Sequence, residues 1–477
     1  MGATLPPINR ALLRPANNMV ALVGHSMLDQ AIQVGAISPR SVSLHWRGVP
    51  AWISVLSYGQ FSFPESCKFA VSGANVKDIY ATAVTTNNNT TLTGTGTQLS
   101  YCLACKASIV YVHIGHNDIV NNFSFGRIVN GIGDDNLGLT YIVNQLVSSG
   151  KVVILSSELP SGNSSFTSTR YTSAQLAIAL QFRDWVVNKA QTIWPGMVYG
   201  IDYWPVMANR AGSSLGDNYA TITYDGIHPT ALGGYAMAKK ALPVFQSLGA
   251  PIEFAAIHQP GDLYDATNNP RGNLIPNGDM LGSAALSGTT GGVTLAGVRP
   301  TSWSVGSNSA LQAGSGITVT GSQVTGTVTG DWYQVVATGT TSSNAIPAFY
   351  VQNLNASLSN MNVGDYLQAF GEFEINSGST GIRGVRCLLS STAPGGNNTA
   401  TLLDVDIFSN TNPSRNGVID TIVAGANLSG VFNGNINIGP WIGSETVMTL
   451  QLSVVLAESS AFNVTTRFRN AASRKVV

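Results

Sequence analysis

Ala107-Ser-Ile-Val-Tyr-Val-His-Ile114, followed at once by Gly115-His116-Asn117-Asp118, is an apolar, β-branched run that ends in polar residues. Such a run predicts a strand buried on both faces, central in a sheet, with its polar end at the sheet's edge. The same pattern recurs on either side. Residues 19–24, 67–71, 151–156 and 197–202 read as further short buried strands. Residues 141–149 and 172–194 read as helices, the second with Ala179, Phe182, Val186, Ala190 and Ile193 on one face. Residues 28–34 read as a short helix. Strands alternating with helices predict a parallel sheet covered on both faces, with functional groups gathered beyond the carboxyl ends of the strands.

Four places at such ends offer chemistry. Ser26 follows the 19–24 strand, and a strand-to-helix turn presents its hydroxyl near the positive end of a helix; a plain helix cap is the alternative. Gly73, in Ser72-Gly73-Ala74-Asn75, lets backbone approach a ligand closely. Asn117 places an amide where it could donate to an oxyanion, or close an Asx-turn. In Tyr224-Asp225-Gly226-Ile227-His228-Pro229-Thr230 a carboxylate precedes an imidazole by three residues. That spacing lets Asp225 fix the tautomer of His228 and leaves the other ring nitrogen as a base. Pro229 suits the first turn of the helix that follows. His113 and His116 invite a metal reading, but their neighbours supply no further ligand and no metal is expected. Cys102 and Cys105 form a C-x-x-C with no second pair, so the thiols read as buried or incidental.

The totals set limits. A chain of 477 residues predicts two domains. Zero formal net charge with 10% charged residues argues against a nucleic-acid or anionic-membrane partner. No apolar run is long enough for membrane insertion. Residues 1–18 read as an extension that lacks the apolar core of a secretory signal. Residues 19–249 hold the α/β pattern and 250–272 read as a linker. Residues 273–477 break into short alternating runs separated by Gly, Ser and Asn turns, which predicts an all-β sandwich of jelly-roll type. Lys is absent between Lys240 and Lys475, so this half is solvated by Asn, Ser, Thr and Gly. Its role reads equally as sugar binding or as oligomerisation and packing; Trp303, Trp332 and Trp441 are the candidates for an exposed sugar platform. The aromatic-rich segment with Trp46, Trp52, Tyr58, Phe61 and Phe63 fits core packing or a sugar cleft.

Gly24-His25-Ser26-Met27-Leu28-Asp29, Ser72-Gly73, Gly115-His116-Asn117-Asp118 and Asp225-Gly226-Ile227-His228-Pro229 together resemble the ordered blocks of the SGNH hydrolases, the GDSL esterase/lipase superfamily. The resemblance implies a flavodoxin-like three-layer α/β/α fold over residues 19–248 and ester hydrolysis without metal or cofactor. It implies Ser26 as nucleophile, His228 as general base and then acid, and Asp225 as the residue that orients His228. The oxyanion hole would be the Ser26 N–H, the Gly73 N–H and the Asn117 amide. One position departs: the family's first block usually reads Gly-Asp-Ser, and His25 stands where the Asp is expected. With the sandwich, these blocks predict a serine carboxylesterase that removes acyl groups, acetyl foremost, from a polysaccharide. The alternatives are a receptor-binding or adhesin protein on an inactive hydrolase fold, and an esterase of small soluble esters. The missing signal, low charge and polar β half also resemble bacteriophage tail spikes, which would imply an extracellular or virion-associated homotrimer.

Overall fold

The computed structural model describes residues 15–37, 40–84, 95–163, 169–209, 222–249, 262–270, 272–327, 330–343, 346–353, 360–393, 396–404, 419–432 and 437–476. Most of the expected N-terminal extension and of the 250–272 linker lies outside them.

Val20–Gly24 (β1), Ile109–His113 (β4), Val152–Ser156 (β5) and Val198–Ile201 (β6) form a parallel sheet in the order β1-β4-β5-β6. Every residue of the first three is buried, as the continuous apolar runs predict for strands covered on both faces. One face packs on helices Val76–Ala81, Gln98–Ala104, Leu139–Ser148 and Ser173–Asp184. Leu139, Ile142, Val143 and Leu146 fall at helical spacing and are buried there. The helix from Ser173 continues through a π-turn, Trp185–Lys189, into Ala190–Ile193. Ala179, Phe182, Val186 and Ala190 of its expected face are buried, but Ile193 is half exposed because the helix ends there. The other face of the sheet packs on helices Val49–Leu56 and Ala231–Leu248.

Two local expectations fail. Residues 28–34 are not a helix: the turn after β1 spans only Ser26–Asp29, and Ile32–Ile37 (β2) and Arg40–His45 (β3) follow as an antiparallel pair. The β-branched Ile32, Val34 and Ile37 favour the extended form over a second helical turn. Residues 67–71 form no regular strand. Glu65–Cys67 is a 3-10 turn, and the chain then runs along the free edge of β1, with Phe69 and Ala70 N–H donating to Leu22 O and Val71 N–H to Gly24 O.

The second half is built from Ala284–Ala285 (β7), Gly288–Thr290 (β8), Val293–Arg299 (β9), Ser304–Ser307 (β10), Ser315–Thr327 (β11), Gly330–Thr340 (β12), Ala348–Asn353 (β13), Tyr366–Ile375 (β14), Ile382–Ala393 (β15), Gly396–Asp404 (β16), Leu428–Phe432 (β17), Asn437–Ile438 (β18), Val447–Leu456 (β19) and Ala461–Val476 (β20). One sheet runs β17-β14-β20-β12-β11-β9-β7, with β18 beside β14 and β8 beside β9. The other runs β10-β13-β19-β15-β16-β3-β2. Their inner faces share one apolar core: Val335, Ala337, Phe373 and Val464 from the first, Phe349, Val351, Leu450 and Leu452 from the second. The arrangement is a sandwich, as expected, though β9–β11 and β16–β3 pair in parallel.

The second sheet takes its last two strands from the first half of the chain. Thr399 to Leu402 of β16 lie beside Ser41 to Leu44 of β3. A boundary at residue 249 therefore does not separate the sheets. The core is continuous as well, from β1, β4 and β5 through Trp46, Trp52 and Phe245 into the sandwich. A Cβ on Gly384 would lie 2.4 Å from the Trp46 ring, so the strand and the indole are in direct contact. Trp46, Trp52, Phe61 and Phe63 are buried in this junction, which is core rather than sugar cleft; only Tyr58 is exposed. Trp303, Trp332 and Trp441 are buried too and form no sugar platform.

Candidate active site

Ser26 opens the helical turn after β1, and His25 rather than Ser26 caps it: the His25 side chain accepts from Met27 N. The serine hydroxyl is thereby released from cap duty. His228 Nε2 lies 2.9 Å from Ser26 Oγ, and His228 Nδ1 lies 2.7 Å from Asp225 Oδ2. The second Asp225 oxygen accepts from the Ile227 and His228 N–H groups at 2.9 and 2.7 Å. Burial pushes the Asp225 carboxyl up, but the hydrogen bond and charge of His228 and these two N–H groups outweigh it and bring the pKa to about 2. An ionised Asp225 fixes the Nδ1–H tautomer of His228, so Nε2 holds the lone pair that faces the hydroxyl.

The loop that carries His228 is shaped locally. Gly226 sits at φ +84°, and a Cβ there would lie 2.2 Å from Gly162 O, so the turn needs glycine twice over. The helix that follows starts at Ala231 with Thr230 as its cap, so Pro229 precedes the helix instead of occupying its first turn. Tyr224 stacks on His228 at 5.8 Å between ring centres, and Arg47 Nη1 donates to Tyr224 OH at 2.8 Å. Arg47, which the sequence reading passed over, thus braces the histidine from the β3 side.

The three expected oxyanion donors are bound into one framework. Asp29, one turn beyond Ser26, accepts from Ser72 N at 2.9 Å and from Ser72 Oγ at 2.6 Å. Asn117 Nδ2 donates to Ala74 O at 2.8 Å, leaving its second N–H. Gly73, between Ser72 and Ala74, is therefore held from the Ser26 side and from the Asn117 side. It sits at φ +83° with open space where a Cβ would be. Among the described residues, neither the Ser26 N–H nor the Gly73 N–H has an acceptor. Asp29 itself is anchored by a buried ion pair to Lys68 Nζ at 2.8 Å, and Lys68 also donates to Ile32 O. An open cleft of about 370 Å³ begins at Gly73 and is lined further by Val71, Asp78, Thr82, Val84 and Gln98.

His113 and His116 do not share a ligand. His113 Nδ1 is 2.5 Å from Ser156 Oγ, and His116 Nδ1 is 3.0 Å from Tyr171 OH. Burial, partly opposed by Glu158, lowers the His116 pKa to about 4. Among the described residues, the group that could hold a metal is instead His25, His113 and Glu158, whose ligand atoms lie within 4.8 Å of one another. The cap bond decides against it. His25 Nδ1 accepts the Met27 N–H, so the ring proton is on Nε2, which donates to Glu158 Oε1 at 3.1 Å and has no lone pair for a metal. Glu158 carries no motif that would have marked it. Cys67, Cys102, Cys105 and Cys387 are free, and all but Cys105 are buried.

No family model matches the chain, and no curated protein does. Among solved structures, the chain is similar to a Streptococcus pneumonia protein whose platelet-activating-factor assignment is provisional, at 14% identity over 50% of this chain and 88% of that one, TM-score 0.31. It is also similar to a family 11 carbohydrate-binding module from Clostridium thermocellum in complex with a β-1,3-1,4-mixed-linked tetrasaccharide, at 10% identity over 36% and 88%, TM-score 0.20. A third is a non-crystalline-cellulose-specific module, CBM28, at 12% identity over 36% and 87%, TM-score 0.22. At these scores the likenesses carry no argument about fold or chemistry.

Proposed function

We propose that this chain is a serine carboxylesterase of the SGNH type. The Asp225–His228–Ser26 relay carries the reading: two hydrogen bonds of 2.7 and 2.9 Å aim an oriented imidazole at an uncapped serine hydroxyl. His228 Nε2 takes the hydroxyl proton as Ser26 Oγ attacks the ester carbonyl. The carbonyl oxygen becomes an oxyanion that the Ser26 and Gly73 N–H groups and the Asn117 amide stabilise, each donor worth about 3–4 kcal/mol. His228 then protonates the departing alcohol, and water repeats the sequence on the acyl-enzyme. No step calls for a metal or cofactor. The order of the 67–71 edge segment, β1, β4, β5 and β6 matches the doubly wound 2-1-3-4-5 order, which supports the flavodoxin-like assignment.

The substrate proposed is an acylated polysaccharide, acetylated foremost. Support comes from the attached sandwich and from its Asn-, Ser-, Thr- and Gly-rich composition; the buried tryptophans add nothing to it. On composition alone the proposal extends to a tail-spike setting and a homotrimer. Acetate release from an acetylated bacterial surface polysaccharide, wild type beside Ser26→Ala, tests it, with p-nitrophenyl acetate as control. Release by the wild type only supports the proposal. Activity on neither substrate favours a binding protein on an inactive hydrolase fold.

A further inference from the structure

Two imidazoles reach the Ser26 hydroxyl. His228 Nε2 is 2.9 Å from its Oγ, and His25 Nδ1 is 3.5 Å from the same atom. Each imidazole has a carboxylate behind it: Asp225 at 2.7 Å from His228, Glu158 at 3.1 Å from His25. The second pair is fully internal, with His25 1% and Glu158 2% exposed. Glu158 is held in turn. Its carbonyl accepts from Trp204 Nε1 at 2.8 Å, and its second carboxylate oxygen is 3.6 Å from His113 Nε2.

We propose that Glu158 and His25 form a second carboxylate–imidazole pair whose task is to position the nucleophile. Glu158 holds the His25 ring, the ring caps the Ser26–Asp29 turn, and the Ser26 hydroxyl is left with His228 as its acceptor. The inference rests on Ser26 being the nucleophile. A serine at the start of a helix tends to turn its oxygen onto the nearby N–H groups. His25 removes that competitor by accepting the Met27 N–H itself. Its Nδ1 is thereby occupied, so the shorter bond to His228 takes the hydroxyl proton. Burial, which Glu158 partly opposes, lowers the His25 pKa, the direction that favours the neutral ring. The pair also accounts for the departure at this position: an Asp at residue 25 would face Glu158 as a second buried carboxylate.

The test uses the full chain and a fluorophosphonate ester, which reads the nucleophile whatever the natural substrate. Ser26 Oγ forms a bond to phosphorus, the P–F bond breaks, fluoride leaves and His228 takes the proton. Glu158→Gln keeps an acceptor for His25 Nε2–H and should label within about threefold of wild type. His25→Asn keeps a cap but cannot reach Glu158, and Glu158→Ala leaves the ring unheld. Both should label about 10–100-fold more slowly, the scale of a misplaced reacting group. KM for p-nitrophenyl acetate should stay unchanged, and the double variant should be no slower than either single one. Wild-type labelling rates in folded His25→Asn and Glu158→Ala would overturn the inference. If those variants fail to fold, nitrogen-15 spectra of the wild-type imidazoles decide: an Nδ1–H tautomer at His25 overturns it. So does a stoichiometric metal ion whose removal by chelator abolishes labelling. Labelling of Ser26→Ala at the wild-type rate would instead sink the esterase reading itself, whereas a silent Ser26→Ala beside a fully active His25→Asn sinks only this one.

Discussion

His228 Nε2 stands 2.9 Å from Ser26 Oγ although 202 positions separate the two residues. One sits at the carboxyl end of β1 and the other in the loop before the last helix of the α/β half. On the proposed mechanism, Ser26→Ala and His228→Ala should each lower turnover of p-nitrophenyl acetate by about four orders of magnitude or more. Far-ultraviolet circular dichroism and the melting temperature should be close to wild type, because neither side chain is a core group.

One Asn117 amide hydrogen ties down Ala74 O, and the proposed mechanism uses the other for the oxyanion. Asn117→Ala should cost roughly two to three orders in kcat. Asn117→Asp, which accepts where an oxyanion needs a donor, should be at least as damaging. Steady-state kinetics on one chromogenic ester checks both.

The buried Lys68–Asp29 pair supports the Gly73 loop through Ser72. Lys68→Met would leave the buried Asp29 carboxylate without its lysine counter-charge, at a cost of about 3–5 kcal/mol. Denaturant unfolding should show that loss. The folded fraction should also turn over more slowly, because Asp29 is what holds Ser72 beside Gly73.

Acid should act through one group in the relay. The folded pKa of Asp225 lies at about 2, below the ordinary carboxylate value. Its contribution to stability is therefore present above about pH 4 and is lost as pH falls through 2. Between pH 4 and 8 Asp225 stays ionised, so loss of its charge should not shape kcat/KM over that range. Denaturant unfolding between about pH 2 and pH 6, wild type beside Asp225→Asn, checks this: the acid loss should be present in the first and absent from the second.

The shared sheet makes a prediction about truncation. A chain ending at Gly249 would leave β3 without its partner β16, and Trp46, Trp52 and Val55 without the sandwich residues that cover them. An open strand edge beside exposed aromatics promotes association. The truncated chain should aggregate under conditions where the full chain stays dispersed, as light scattering would show.

Much of the α/β half was legible because its signals are local. The buried runs of β1, β4 and β5 and the spacing of Asp225 and His228 need no knowledge of the rest of the chain. The resemblance located Gly73 and Asn117, and the structure joins them through Asp29 and Ala74. What was not legible depended on distant partners. Residues 32–45 alternate like any strand, and nothing within them names β16, some 360 residues on, as their neighbour. Glu158 follows a buried strand with no motif around it, and its meaning comes only from His25, 133 positions away. The burial of Trp303, Trp332 and Trp441 was not legible either, because aromatic residues in a sandwich are as much at home in its core as on its surface.

The proposed chemistry turns on Ser26 as the activated nucleophile of an esterase. The most direct measurement is the mass of the protein after brief exposure to a fluorophosphonate ester, with the site located by peptide mapping and the same sample assayed on p-nitrophenyl acetate. One adduct on Ser26, formed in step with loss of esterase activity and absent from His228→Ala, is the predicted result. An unlabelled Ser26 with activity intact, or equal labelling in His228→Ala, would contradict it.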